Sequence, residues 1–485
     1  MDHLTFAIQR GPEVARGLLV NAISELIGRL RPEHWVRLAV CGNPVQLSLF
    51  AGWEIRDLAY AGANKLAKEG VDSVDRSGRV VPGPDLGFPE GTEVVIPPAI
   101  RHEIGADALA MMLKSGFLDD DYCMVTDYGT NAEMALKVGD RIFSGSAAAG
   151  PAIEGQQIAA GMLAGPGAVS DLVRKPAGWQ VKVLDRQLEA QNGPLLNLRS
   201  GICRAAGITP VGITGTGVIA LIYAGLQDEC IEPPHLAGGE VRLTKRIVFT
   251  EHDLQEAGKA LGALRAGQMT LMQAADVAPR EVQTMYMAGA SGTYVDPVKA
   301  QAVGIVPPDA TRLVQVGNTS LELAKDLARD PDILSELNAL RQQLLAEHIM
   351  FATSDVFRNL YVYELALWTE GMAPDRYRKL LEGYGLSGYL DDHVTPRVER
   401  QVMRDIRDLG EGLDIFDGCT ALTASWSCKL CMRCVQFCPE KALSFADGKF
   451  SINTGRCLGS ACGRCEEVCP DRVFKQSSFV SMNMK

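Results

Sequence analysis

Nowhere in the sequence does an apolar run reach the ~18–20 residues that a membrane-spanning helix requires. The N-terminal Met1-Asp2-His3-Leu4 does not open a secretory signal peptide. A basic excess is missing too: 48 Lys and Arg face 59 Asp and Glu, a formal net charge of −11. That balance argues against general nucleic-acid binding. Neither a membrane nor a nucleic acid is therefore expected as a partner. What remains is an ordinary globular composition, 47% hydrophobic and 22% charged over 485 residues, enough for about two to four domains.

Cysteine is the residue in surplus, and it is concentrated near one end. Eight of the thirteen lie between Cys428 and Cys469. The first run, Cys428, Cys431, Cys434 and Cys438 before Pro439, has the spacing C-x2-C-x2-C-x3-C-P. Such a run wraps three thiolates around one 4Fe–4S cluster and sends the fourth to a second cluster. The sets expected are Cys428, Cys431, Cys434 with Cys469, and Cys457, Cys462, Cys465 with Cys438. The second run begins C-x4-C-x2-C, a spacing shared with plant-type 2Fe–2S proteins. Here Cys469-Pro470 follows at once, and a complete first run stands ready to exchange its fourth ligand, so two 4Fe–4S clusters fit better. Zinc wants four ligands, usually as two pairs, and suits eight thiols in this rhythm poorly. Cluster thiolates need a reducing, low-oxygen compartment, which places the chain in the cytoplasm of an anaerobe. The other five, Cys41, Cys123, Cys203, Cys230 and Cys419, read as small buried apolar residues.

Ahead of that stretch the apolar pattern alternates between strand and helix, which is the signature of an α/β protein. Helical spacing over 13–30 leads to a strand at Val36–Val40 and a helix after Pro44, and Arg76–Thr92 reads as a loop. A short strand at Val94–Ile96 and a helix over Ala106–Leu118 follow. The buried strand Tyr122–Thr126 runs into Asp127-Tyr128-Gly129-Thr130-Asn131 and then a hairpin. An Asx-type hairpin turn explains those residues by themselves. Phosphate–metal chemistry is the second reading: glycine lets backbone amides approach phosphate oxygens, and Asp can hold hydrated Mg2+ or orient a water. Two further glycine turns precede helices, Gly212–Gly217 before Val218–Leu226 and Ala288–Thr293 before Asp296–Val303. An anion site and tight helix packing both explain the first of these. Three such turns at strand ends strengthen a nucleotide reading beyond any one of them. Residues 153–160 are expected to be helical, Asp253–Ala275 is a long amphipathic helix, and strands at Gln283–Met287 and Thr311–Val316 bracket the last turn, with a helix at Leu321–Leu327 after it. Residues 331–415 read as mostly helical, with Phe357, Tyr361, Tyr363 and Trp368 as a packing face, and Gly410–Gly418 as a hinge.

Several long motifs together carry a family resemblance. They include R-L-A-V-C-G-N-P-V-Q-L-S-L-F (37–50), P-P-A-I-R-H-E-I-G-A-D-A-L-A-M-M-L (97–113), V-T-D-Y-G-T-N-A-E-M-A-L (125–136), S-A-A-A-G-P-A-I-E-G (146–155), V-G-I-T-G-T-G-V-I (211–219) and M-A-G-A-S-G-T-Y-V-D (287–296). With the terminal cysteine module, they resemble the reductive activators of corrinoid proteins, in particular the methylamine methyltransferase corrinoid protein reductive activases, over essentially the whole chain.

The resemblance implies an α/β, actin-like and sugar-kinase-like two-lobed ATPase fold with a C-terminal α+β ferredoxin-like domain. The corresponding division is a first lobe at 1–120, a second at 121–350, a helical return and linker at 351–417 and the cluster domain at 418–485. It implies ATP with Mg2+ alongside the two 4Fe–4S clusters, and ATP-dependent reduction of Co(II) to Co(I) in the corrinoid protein of a methyltransferase system, fed by an upstream low-potential electron donor. Carried over by position, Asp127 is the catalytic carboxylate and Gly129, Thr130 and Asn131 complete the second phosphate loop. Gly289, Ala290, Ser291 and Gly292 form the adenosine-side loop, and Gly150 and Glu154 fall near the cleft. The family's first phosphate loop, an Asp-x-Gly-Thr on an opening hairpin, has no counterpart in these residues, so the ATPase fold is N-terminally incomplete here. It is expected in frame upstream of Met1. The competing reading is an iron–sulfur electron carrier or adaptor whose nucleotide lobes are inactive.

Overall fold

The computed structural model describes residues 3–59, 70–71, 74–100, 104–129, 131–148, 157–244, 247–345, 347–390, 394–401, 421–425, 427–453, 457, 462–474 and 480–481. Its contacts divide the chain into one unit of residues 1–102 with 414–485 and a second of residues 103–413. Thr130, Gly150, Glu154, Cys419 and the expected hinge Gly410–Gly418 lie outside the described residues.

In the first unit, α1 (His3–Arg10) and α2 (Pro12–Leu30) precede β1 (Arg37–Ala39) and α3 (Pro44–Ala51). Asn43 caps α3 by accepting from the Gln46 amide at 2.9 Å, and Pro44 occupies the first helical position, where its missing N–H costs nothing. The stretch expected as a loop contains a strand, β2 (Arg79–Pro82), which pairs antiparallel with β3 (Glu93–Ile96) in the sheet order β1-β3-β2. The turn chemistry was read correctly, but Arg76 anchors its approach. This buried guanidinium reaches both oxygens of Asp57 (2.6 and 2.8 Å), Ser48 Oγ and the Glu54 carbonyl. That fork is the planar recognition arginine is built for.

The second unit is built on a six-stranded mixed sheet. Helix α4 (Ala106–Lys114) leads to β4 (Cys123–Tyr128), β5 (Ala132–Val138) and β6 (Arg141–Ala147). A second sheet follows, from β7 (Ala168–Lys175), β8 (Gly178–Leu184), β9 (Ala190–Asn197), β10 (Ile202–Arg204) and β11 (Gly212–Ile213), in the order β10-β9-β8-β7-β11. Helices α5 (Gly215–Gln227) and α6 (Glu251–Ala275) come next, then β12 (Thr284–Ala288), α7 (Gly289–Tyr294), α8 (Pro297–Ala302), β13 (Arg312–Gly317) and α9 (Thr319–Arg329). The chain continues through α10 (Ile333–Leu344), α11 (Asp355–Glu370), α12 (Pro374–Glu382) and β14 (Arg397–Arg400). The main sheet runs β14-β13-β12-β4-β5-β6, with β12 parallel and β5 antiparallel to β4. The expectation of a mostly helical 331–415 therefore missed β14, an edge strand held to β13 through the Arg312–Glu399 pair at 3.0 Å. The described end of the expected 153–160 helix, residues 157–160, is turn.

Long helix α6 is the axis of the core. Thr250 and Asp253 cap it reciprocally, and nearly its whole length is buried. Gly258 and Gly262 let α11 lie directly against it: a Cβ at either would stand 2.6 Å from Trp368 Cβ and 2.8 Å from Glu364 Cβ respectively. Between the two helices Arg265 Nε donates to Glu364 Oε1 at 2.9 Å, and Tyr377 Oη donates to the same oxygen. The aromatic run acts as the packing face it resembled, with Phe351 and Phe357 stacked at 4.7 Å and Trp368 buried.

The cysteine module has β15 (Ala421–Ala424), α13 (Arg433–Gln436), β16 (Leu443–Ala446), β17 (Lys449–Asn453), α14 (Arg464–Glu467) and β18 (Val480–Ser481), in the sheet order β16-β17-β15-β18. It is an α+β fold too small to bury much apolar surface: Ala442, Leu443, Phe450, Ile452 and Phe474 are its buried apolar side chains among the described residues, with Cys434 beside them. A domain of this size needs a metal centre to hold it together.

Candidate functional site

The parallel pairing of β4 with β12 sets Asp127 beside Ala288, at the ends of adjacent strands. The antiparallel pairing with β5 sets Asp127 across from Glu133. Asp107, in the first turn of α4, is the third carboxyl close enough to act on both. Burial pushes Asp127 up to about 7, with the Asp107 charge adding to it. Burial likewise pushes Asp107 up to about 6. Glu133 lies well above the usual carboxylate range, first through burial and then through Asp107 and Asp127. Like charges in a shared, poorly solvated site favour keeping protons. A polycation or metal-bearing ligand reverses that preference, because its charge stabilises the ionised carboxylates. Of the three carboxyls that meet here, the sequence singled out Asp127 and not Asp107 or Glu133. Tyr128 pairs with Ala132 across a three-residue connection, and that register is what sets Glu133 opposite Asp127.

The glycines set the shape of this corner. Gly289 has φ +78, and a Cβ there would collide with Asp127 Oδ1 and sit 3.0 Å from the Tyr128 amide nitrogen. Gly292 meets the Tyr128 ring, which a Cβ would approach to 2.9 Å. Gln315 on β13 fixes α7 by donating to the carbonyls of Gly292 (2.9 Å), Thr293 (3.0 Å) and Val295 (2.9 Å). The Gly129 amide closes its own turn onto Asn131 O at 3.1 Å, and the Asn131 side chain hydrogen-bonds Glu133. The structure thus brings Asp127, Gly129 and Asn131 together with Gly289 and Gly292, while Ser291 sits half-buried on α7 and Ala290 lies in the same helix. The turn at Gly212–Gly217 resolves toward packing: a Cβ on Gly217 would overlap Val169 O, and the Thr214 side chain caps α5.

A cavity of about 420 Å3 between β7, α5 and α8 had no signal in the sequence. It is lined by Asp171, Arg174, Trp179, Tyr223, Asp296 and Lys299, among others. Its charged lining pairs internally: Lys299 reaches Asp171, the Leu172 carbonyl (2.8 Å) and Asp296 (3.6 Å), and Arg174 reaches Asp228 (2.5 Å).

In the module the eight cysteines sort as their spacing demands. Cys428, Cys431, Cys434 and Cys469 line one cavity. Cys438, Cys457, Cys462 and Cys465 line the other. Among the described residues no three Cys, His, Asp or Glu converge on a single-ion point; four thiols around an open space suit a cluster instead. The two halves repeat each other. Met432 and Gly463 take the left-handed conformation just before α13 and α14, and Lys441 and Arg472 take it three residues after Cys438 and Cys469. Backbone amides turn toward sulfur: Leu430 N to Cys428 at 3.4 Å, Ala442 N to Cys438 at 3.3 Å, Phe474 N to Cys469 at 3.5 Å. Such bonds stabilise a sulfur that carries negative charge. Cys434 and Cys438 flank one helical turn yet face different cavities, as do Cys465 and Cys469. Outside the module, Cys123 and Cys230 are buried and Cys41 and Cys203 half-buried, and burial pushes Cys123 up to about 12, as inert apolar filling would be. No helix among the described residues is long and apolar enough to cross a membrane.

A mixed sheet ending in carboxylates and glycine turns, carried with a cysteine module of two four-thiol cavities, is the arrangement of an actin-like domain joined to a ferredoxin-type domain. Residues 121–378 match the family described as the C-terminal, ASKHA domain of RACo, and residues 427–473 match the 4Fe–4S dicluster domain. The chain belongs to the family of corrinoid reductive activators. It is 45% identical to the [Co(II) methylated amine-specific corrinoid protein] reductase of Methanosarcina barkeri, over 95% of this chain and 88% of that protein. It is 24% identical to the corrinoid activation enzyme RamQ of Eubacterium limosum, over 66% of this chain and 54% of that one. Among solved structures it resembles a reductive activator for a corrinoid, iron–sulfur protein, with a TM-score of 0.60 and 23% identity, covering 75% of this chain and 59% of that one.

Proposed function

We propose that this protein couples ATP to the one-electron reduction of a methyltransferase corrinoid protein from Co(II) to Co(I). The observation that carries the reading is the presence, in one chain, of a buried strand-end carboxylate site and eight thiols sorted into two cluster cavities. The energetic logic is an uphill electron. Each ~59 mV of unfavourable one-electron potential costs about 1.4 kcal/mol, and a ferredoxin-type centre by itself leaves a low-potential cobalt mostly oxidised. ATP helps only by favouring one conformation over another through contacts that differ between them.

Asp127, with Glu133 and Asp107 near it, would hold the Mg2+ of a nucleotide. Gly129, Thr130 and Asn131 would meet its phosphates, and Gly289, Ala290, Ser291 and Gly292 would take the adenosine side. Bound to the two sets of cysteines, 4Fe–4S clusters supply low-potential one-electron transfer. The cysteine loops hold them in place and direct backbone amides at their sulfurs. The methylated-amine relative points to a corrinoid protein of methylamine metabolism as the partner, and the thiol chemistry to a reducing cytoplasm.

The test is anaerobic and spectroscopic. Reconstituted protein is mixed with a Co(II) corrinoid protein and titanium(III) citrate, with and without MgATP, and Co(I) is followed by its absorbance. ATP-dependent Co(I) formation that Asp127→Ala abolishes, with iron content unchanged, is the expected result. Equal Co(I) yields with and without ATP would overturn the coupling and return the chain to a plain electron carrier.

A further inference from the structure

The six residues of α7 cannot hold a helix by themselves. A helix so short is marginal in water, and its last carbonyls have no partner within it. Inside the turn the Val295 amide donates to the Ser291 carbonyl at 2.9 Å, and the Thr293 hydroxyl to the Gly289 carbonyl at 2.7 Å. The carbonyls at its far end are answered from the sheet. Gln315 Nε2 donates to those of Gly292, Thr293 and Val295 at 2.9, 3.0 and 2.9 Å, and Gln315 is only 7% exposed.

The strand explains that aim. β13 pairs with β12 in register as far as Gln315, which stands opposite Met287, and then slips by one residue, so that Ala288 stands opposite Gly317. Val316 is the extra residue. A slip of this kind re-aims the side chains around it. The start of α7 is fixed by other contacts, Gly289 against the Asp127 carboxyl and Gly292 against the Tyr128 ring. One end of α7 is therefore set by the strand-end carboxylate and the other by Gln315.

A second glutamine makes the same kind of clamp elsewhere. Gln301 Nε2 donates to the carbonyls of Pro307 (3.1 Å), Pro308 (3.1 Å) and Ala310 (2.9 Å), and Gln301 is 2% exposed. What it holds is the connection into β13, which carries none of the residues assigned to nucleotide. Gln315 holds the segment that contains Ala290, Ser291 and Gly292. Removing its amide strips three buried carbonyls of that bond at once, and buried groups left without partners force a segment to shift. A binding constellation tolerates only about 0.5 Å of such movement.

We propose that Gln315 is the positioning residue of the adenosine side: it sets α7 so that Gly289–Gly292 fit the base and ribose, while the phosphates answer to Asp127, Gly129 and Asn131. The inference rests on the reading of this corner as a nucleotide site. Gln315 touches no reacting atom. It governs how much affinity the nucleoside adds to that of the phosphates alone.

The experiment titrates the full reconstituted chain by calorimetry with MgATP and with magnesium tripolyphosphate, which carries the phosphates without the nucleoside. Gln315→Met keeps the length of the side chain and removes its donor. It is expected to weaken MgATP about ten-fold or more and to leave tripolyphosphate within about two-fold. Gln315→Glu keeps one donor as a neutral acid and should fall between. Gln301→Met removes the like clamp outside the site; whatever it costs in melting temperature, the ratio of the two affinities should stay at the parent value. Equal weakening of both ligands in Gln315→Met overturns the proposal and leaves Gln315 a stabiliser of the fold only. Unchanged MgATP affinity overturns it too, as does the same selective loss in Gln301→Met, or a parent that binds MgATP no more tightly than tripolyphosphate. If Gln315→Met yields no soluble protein, Gln315→Glu decides by the same ratio. A parent that binds neither ligand overturns the proposed nucleotide site and the inference with it, whereas a parent that binds both, with an unchanged ratio in the Gln315 variants, overturns the inference alone.

Discussion

Gly289 and Asp127 stand so close that a methyl group on the glycine would collide with the aspartate's carboxyl oxygen. One sits at the start of α7 and the other at the end of β4, and the parallel β4–β12 pairing is what joins them. Gly289→Ala therefore has two costs. The left-handed backbone costs a non-glycine residue about 1–2 kcal/mol, and Asp127 must move. The variant should melt lower and lose nucleotide affinity while keeping its full iron content. Wild-type nucleotide affinity, measured by calorimetry, would show that α7 can shift without disturbing the carboxylate.

The carboxylate site also gives stability a pH dependence of definite sign. Asp127 titrates at about 7 in the folded protein against 3.8 ordinarily. Between those values the folded state keeps a proton that the unfolded chain has released, so stability is highest below about pH 4 from this group and is lost as pH rises through about 7. Nucleotide-free protein should lose melting temperature between about pH 4 and 7 and level off above that, and Asp127→Asn should lose less over the same range. Parallel curves for the two proteins would mean that Asp127 is already ionised when folded.

Cys434→Ser and Cys465→Ser should each lower iron from about eight to about four per chain, because the two sulfurs belong to different sets of four. Iron counting with electron paramagnetic resonance on each variant checks it. Loss of all iron in both would show that one filled cavity is required to build the other.

The buried pair between α6 and α11 should respond unequally to its two deletions. Arg265→Met strands Glu364, which is fully buried, and a broken buried pair costs about 3–5 kcal/mol. Burial already holds the Glu364 carboxyl above its usual range, so protonation softens that cost toward the lower figure. Glu364→Gln keeps the shape and a polar partner for Tyr377 and should cost less. Urea unfolding of the two variants ranks them, and the reverse order would place the strain on the arginine.

The grouping of the module's eight cysteines around two cavities was legible because thiolate spacing is a local geometric code, and the strand-end turn after Asp127 was legible because Gly129 marks it. Asp107 was not: it lies twenty residues upstream on a helix and reaches the site only through packing. The sheet formed by β7–β11 left no reading either. Asn192-Gly193-Pro194 is turn chemistry, yet it lies within β9, where the Ile208 amide bonds Asn192 O at 2.9 Å and a Cβ on Gly193 would press Val183 at 2.5 Å. That glycine answers to a neighbouring chain segment, which no local pattern records. Likewise β14 is polar and exposed, and only its partner β13 makes it a strand.

Cys434 and Cys438 are separated by a single turn of α13, and Cys465 and Cys469 by a single turn of α14, with the members of each pair serving opposite cavities. A helical turn advances about 5.4 Å. Clusters held by these cysteines would therefore be kept at a spacing that two such turns help to set. Insertions in the segment between the two runs can retune a cluster's surroundings over evolutionary time, but they leave these two turns untouched.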